Sequence, residues 1–85
     1  MAKAPVSEAA GELGSRIRAS RATRGWSLED LGHVSGIHWS HVGEIERGQR
    51  DIRLHSLLIL AAALQVDPAD LVRGLRPPPR AGELD

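Results

Sequence analysis

The 85-residue sequence contains no cysteine, so a disulfide framework, a thiol nucleophile and a thiolate metal site are all excluded, and a reducing compartment is compatible. It also lacks a long apolar run. The longest, Leu57 to Leu64, is far too short to span a bilayer, and Met1 to Gly14 alternates small and charged residues rather than forming a secretory signal. A cytoplasmic chain is expected. Strand character is missing too, because no stretch alternates apolar and polar residues for long enough, and no internal repeat is visible. What remains is helical. Net charge is likewise absent, with eleven basic and eleven acidic residues. Any charged surface must therefore come from distribution.

That distribution is uneven. Ser15 to Arg53 carries arginines 16, 18, 21, 24, 47, 50 and 53 against Glu29, Asp30, Glu44, Glu46 and Asp51, while Leu54 to Leu75 carries Arg73 against Asp67 and Asp70. A basic half beside a neutral or acidic half is compatible with one nucleic-acid face and one protein face. Length sets a second bound, since a chain this short buries only about 60% of the surface exposed on unfolding. One domain is the ceiling, and a partner subunit is one of the few remaining ways to enlarge the core.

Spacing and end signals place five helices. Residues 1–10, with Pro5 and Ser7, are expected to be a flexible N-terminal segment, 11–75 the folded domain, and 76–85 a disordered tail opened by Pro77, Pro78 and Pro79. Leu13 and Ile17 share a face of the first helix, which Gly25 ends. Ser27 caps the second, with Asp30 three residues on, and Gly36 closes it. Trp39 to Glu46 makes the third, with Val42 and Ile45 inward and Gly48 as its stop. The fourth, Leu54 to Leu64, is apolar almost all round, which predicts burial on two sides. Asp67-Pro68-Ala69-Asp70 opens the fifth, leading to Leu71, Val72 and Leu75.

Two short helices joined by a glycine-containing turn form the helix-turn-helix pattern, and Leu28 to Ile45 fits it. Leu31 and Ile37 are expected to pack the two helices together, Gly32 to admit a close backbone approach, and Gly36 to supply the turn. The outward face of the second helix is then free to enter a major groove.

The run Leu13-Gly14-x-Arg16-Ile17-Arg18-x-x-Arg21, then Trp26-Ser27-x-Glu29-x-Leu31, Gly36-Ile37, Glu44-Ile45-Glu46-Arg47-Gly48, Leu54-x-x-Leu57 and Ala61-x-x-Leu64-x-Val66 resembles the Cro/C1-type helix-turn-helix family. With His38 opening the third helix and Glu46-Arg47-Gly48 following it, the chain is similar to small stand-alone regulators, including controller proteins of restriction-modification systems. The resemblance implies an all-α, compact five-helix, lambda-repressor-like DNA-binding domain. It also implies a structural ion pair between Arg21 and Glu46. Three positions depart from the family pattern. Leu28 replaces a glutamine that braces a phosphate, Arg53 stands where a serine or threonine caps the fourth helix, and the exposed recognition positions are Trp39, Ser40, Gly43 and Glu44.

Those four positions are the expected base-reading set. Glu44 is suited to accept from a cytosine amino group or, alternatively, to pair with Arg47 or Arg50. Trp39 either meets a thymine methyl or sugar, or folds back over Gly36 and Val42. Arg47, Arg50 and Arg53 recur at three-residue spacing where the chain should pass a DNA backbone, and with Ser27, His38 and His41 they form the expected phosphate-contacting set. His33, His38, His41 and His55 have no cysteine or carboxylate placed to complete a tetrahedral site, so no metal or cofactor is expected. No nucleophile sits beside a base, and no catalysis is expected.

The leading function is a sequence-specific regulator of transcription, a repressor or autoregulator, binding double-stranded DNA as a homodimer on a pseudo-palindromic operator. A nucleoid-associated location follows. The expected dimer interface is Leu58, Leu71, Val72 and Leu75. Two alternatives carry a different partner: an antitoxin-like module that holds DNA and a toxin or other protein, and a helix-turn-helix kept only for protein interaction.

Overall fold

The computed structural model describes residues 3–79. Five helices follow in order: α1 (Glu8–Thr23), α2 (Leu28–Ser35), α3 (Trp39–Glu46), α4 (Leu54–Leu64) and α5 (Pro68–Val72). No strand occurs among the described residues, and none of their helices is long and apolar enough to cross a membrane. Helices α2 and α3 pack on each other, α1 lies against α3, and α4 supports α2 from behind.

The helix ends obey local chemistry. Ser27 and Asp30 close a reciprocal capping box on α2, the Ser27 hydroxyl accepting from the Asp30 N–H at 3.0 Å and the Asp30 carboxylate accepting from the Ser27 N–H at 2.8 Å. Those bonds, the backbone one foremost, hold the Asp30 carboxyl below its usual pKa. Gly36 then takes a left-handed conformation, φ 76°, that a side chain would penalise. Asp67 caps α5 with Pro68 at its first position. Arg53 precedes α4 with no side-chain cap.

One apolar core joins all five helices: Leu13 and Ile17 from α1, Leu31 from α2, Val42 and Ile45 from α3, Leu57, Leu60, Ala61 and Leu64 from α4, and Leu71 from α5. Each fully buried leucine or isoleucine contributes about 1.5–3 kcal/mol. Trp26 is only half-buried against this core, with the Arg24 guanidinium 5.0 Å from its ring centroid.

One expectation needs correction. The N-terminal segment is not loose from residue 5 onward: Val6 donates its N–H to the Gly48 carbonyl at 2.8 Å, and the Ser7 hydroxyl accepts from the Ala10 N–H, so α1 starts at Glu8. Pro5 was the misleading residue, since it reads as a helix breaker yet sits before a good cap. Within the single chain α4 is buried along one stripe, and Leu54 and Leu58 are open to solvent. Residues 76–79 are not helical, while the rest of the expected tail, 80–85, lies outside the described residues.

Candidate nucleic-acid interface

Successive residues of an α-helix step around the axis by about 100°, so α3 has two distinct sides. Val42, Ile45 and Glu46 are buried against the body. Ser40, Gly43, Glu44 and Arg47 share the opposite ridge, with Trp39 at its edge. Trp39 retains 48% of its surface exposed and lies beside the His38 ring, centroids 5.5 Å apart.

The ridge is fixed in place at both ends. At its start, His38 caps α3 by accepting the Ser40 N–H on Nδ1 at 3.2 Å, and the same nitrogen lies 2.7 Å from the Ser40 hydroxyl. A methyl on Gly32 would stand 2.9 Å from the Ile37 carbonyl oxygen and 3.1 Å from the Trp39 nitrogen, so α2 backs directly onto the turn. At its end, Arg21 of α1 grips Glu46 through Nε and Nη2 at 2.7 and 2.9 Å, and donates from Nη1 to the Trp26 carbonyl at 2.8 Å. The hydrogen bond to Glu46 raises the Arg21 pKa above its ordinary value, so the guanidinium stays charged.

The ridge's own chemistry is mixed. Glu44 pairs with Arg50, 3.2 Å from Nη2 and 3.3 Å from Nε, both side chains partly exposed; of the two partners expected from sequence, Arg50 is the one found. Gly43 is buried rather than presented, because the Arg47 guanidinium and Leu28 cover it. Arg53 is exposed at the start of α4, Ser27 at the start of α2, and His41 is half-buried beside Arg50 and Arg53.

The expected dimer set divides. Leu58 and Val72 are exposed and Leu75 half-buried. Leu71 is 3% exposed and belongs to the core; α5 has a single inward position, and Leu71 occupies it, so it drops out of that surface.

Arg16 of α1 and Arg24, the residue that closes it, have roles that sequence reading missed. Arg16 donates to the Leu71 and Arg73 carbonyls at 3.1 and 2.8 Å, and Arg24 donates to the Leu64 carbonyl at 2.9 Å and the Gln65 side chain at 3.0 Å. Arg16 and Arg24 thus sit at the C-terminal ends of α5 and α4, where unpaired carbonyls favour a cation, while Arg21 holds the end of α3 through the Glu46 carboxylate. These partners lie 40 or more residues away for Arg16 and Arg24, and no local pattern announces them.

A helix-turn-helix family description matches residues 17–71. Among curated proteins, the chain is similar to control protein C.SmaI of Serratia marcescens, 35% identical over 60 residues that make up 71% of each chain. Among solved structures it is similar to the restriction-modification controller protein C.AhdI from Aeromonas hydrophila, with a TM-score of 0.70 and 43% identity over 72% of this chain and 92% of that one. It also matches the P22 c2 repressor protein in complex with a synthetic operator, with a TM-score of 0.68 and 32% identity over 73% of this chain and 94% of that one. The five-helix, all-α architecture is that of these repressor-type domains.

Proposed function

The chain is a member of the helix-turn-helix family, and on that premise we propose that it is a sequence-specific regulator of transcription. It binds double-stranded DNA as a homodimer on a pseudo-palindromic operator. The observation that carries this reading is the solvent-facing ridge of α3, held at one end by the His38 cap and at the other by the Arg21–Glu46 pair. A rigid helix with a free outer face is what direct readout in a major groove requires. Similarity to C.SmaI and C.AhdI, named as control and controller proteins, and to an operator-bound repressor supports the same class.

In this reading Trp39, Ser40 and Glu44 face base edges. Ser27, His38, His41, Arg50 and Arg53 flank the ridge and meet phosphates, which fix register without reading sequence. Leu58, Val72 and Leu75 form the two-fold contact that sets the two α3 helices about 34 Å apart, one helical turn of DNA.

Fluorescence anisotropy with a random-sequence duplex across a salt series tests the reading. Binding at low salt should weaken linearly in log K against log salt, by about 0.9 for each phosphate neutralised. No affinity for any duplex at low salt would overturn it.

A further inference from the structure

Arg47 ends α3 with its guanidinium folded back over Gly43. A methyl on Gly43 would lie 3.0 Å from Arg47 Nη1, 3.8 Å from Cζ and 3.5 Å from a Leu28 methyl. The planar head therefore rests in the space that glycine leaves empty, beside an aliphatic neighbour. A guanidinium tolerates such a seat because it is more weakly hydrated than an ammonium. It makes no hydrogen bond or ion pair with the described residues, whereas Arg16, Arg21, Arg24 and Arg50 are all engaged.

From this geometry, and resting on the DNA-binding reading above, we propose that Arg47 reads a guanine rather than anchoring a phosphate. Its head points back toward the middle of the recognition helix, on the ridge shared by Ser40 and Glu44, and not past the helix end toward a strand backbone. Glu44 is neutralised by Arg50, so Arg47 is the available cation of that ridge. The edge of guanine exposed in the major groove offers two acceptors, O6 and N7, matching the arginine fork. Gly43 is then a positioning residue, since its bare Cα presets the fork and lowers the cost of ordering a long side chain on binding.

Duplexes selected from a random-sequence pool by the intact chain, by R47K and by G43A test the assignment. R47K keeps the charge and loses the fork. G43A meets only the movable end of Arg47 and the Leu28 methyl and removes a glycine from a helix interior, so its melting temperature should be no lower than that of the intact chain. The intact chain should enrich a guanine at one fixed place in each half-site. Both variants should lose that preference roughly 10- to 100-fold while keeping the remaining consensus and the affinity for random duplex. An unchanged guanine preference in R47K would overturn the assignment. So would R47A weakening every duplex equally with a shallower salt slope, which marks a phosphate anchor. Absence of any enrichment by the intact chain would instead overturn the sequence-specific reading on which this inference rests.

Discussion

The carboxylate of Glu46 is almost sealed from solvent, 4% exposed, and both of its oxygens are held by Arg21, itself 15% exposed. The pair ties the last turn of the recognition helix to α1. A methyl on Gly14 would collide with the Ile45 and Glu46 carbonyls, so α1 and α3 approach to backbone contact at the same place. Removing one partner leaves a buried charge unpaired at a cost of about 3–5 kcal/mol. Glu46→Ala should lower the melting temperature by at least about 10 °C, and DNA affinity should fall with it. Glu46→Leu combined with Arg21→Leu should recover part of the lost stability. Thermal unfolding followed by circular dichroism checks both, and an unchanged midpoint for Glu46→Ala would refute a structural role.

Acid should expose the capping box of α2. The Asp30 pKa is depressed in the folded chain by its hydrogen bonds to Ser27. The stability that this contributes is present above the unfolded aspartate value near 3.8 and is lost as pH falls through the lower folded value. Asp30→Asn should therefore flatten the acid limb of a stability-against-pH curve. An identical limb in that variant would assign the acid sensitivity elsewhere.

Gln65 closes α4 in the left-handed region, φ 56° and ψ 43°, which costs a residue with a side chain about 1 kcal/mol. Gln65→Gly should stabilise the chain by about 0.5–1 kcal/mol in urea unfolding. A loss would mean that the Arg24 hydrogen bond to the Gln65 side chain outweighs the relief.

Leu58 of α4 and Val72 of α5 leave apolar surface open to solvent. Val72→Asp should convert a dimer to a folded monomer in sedimentation equilibrium at a concentration on the order of tens of micromolar. If the intact chain is itself monomeric there, the two-fold arrangement is wrong.

Local signals carried most of the fold. The Ser27 and Asp67 caps, the Gly36 turn and the 3.6-residue apolar spacing each depend on neighbours within a turn or two, so sequence exposes them directly. The same spacing sorted Val42 and Ile45 from Trp39 and Ser40. Contacts between distant segments stayed hidden: Arg16 and Arg24 count in sequence only toward the basic half, and instead cap α5 and α4. Gly43 read as an exposed position because spacing alone cannot show Arg47 and Leu28 closing over it. The apolar circumference of α4 exceeds what one chain this short can cover, and Leu54 and Leu58 stay open to solvent.

Whether the outer ridge of α3 reads base edges is decided by Trp39→Ala, because that side chain is half exposed and carries no core packing of the kind Val42 does. Binding of the variant and the intact chain should be titrated against a selected duplex and a scrambled one, each across a salt series. Base readout requires a loss of about 1–3 kcal/mol on the selected duplex alone, with the salt slope and the scrambled-duplex affinity unchanged. Equal loss on both duplexes, accompanied by a shallower slope, would contradict it and make α3 a backbone clamp.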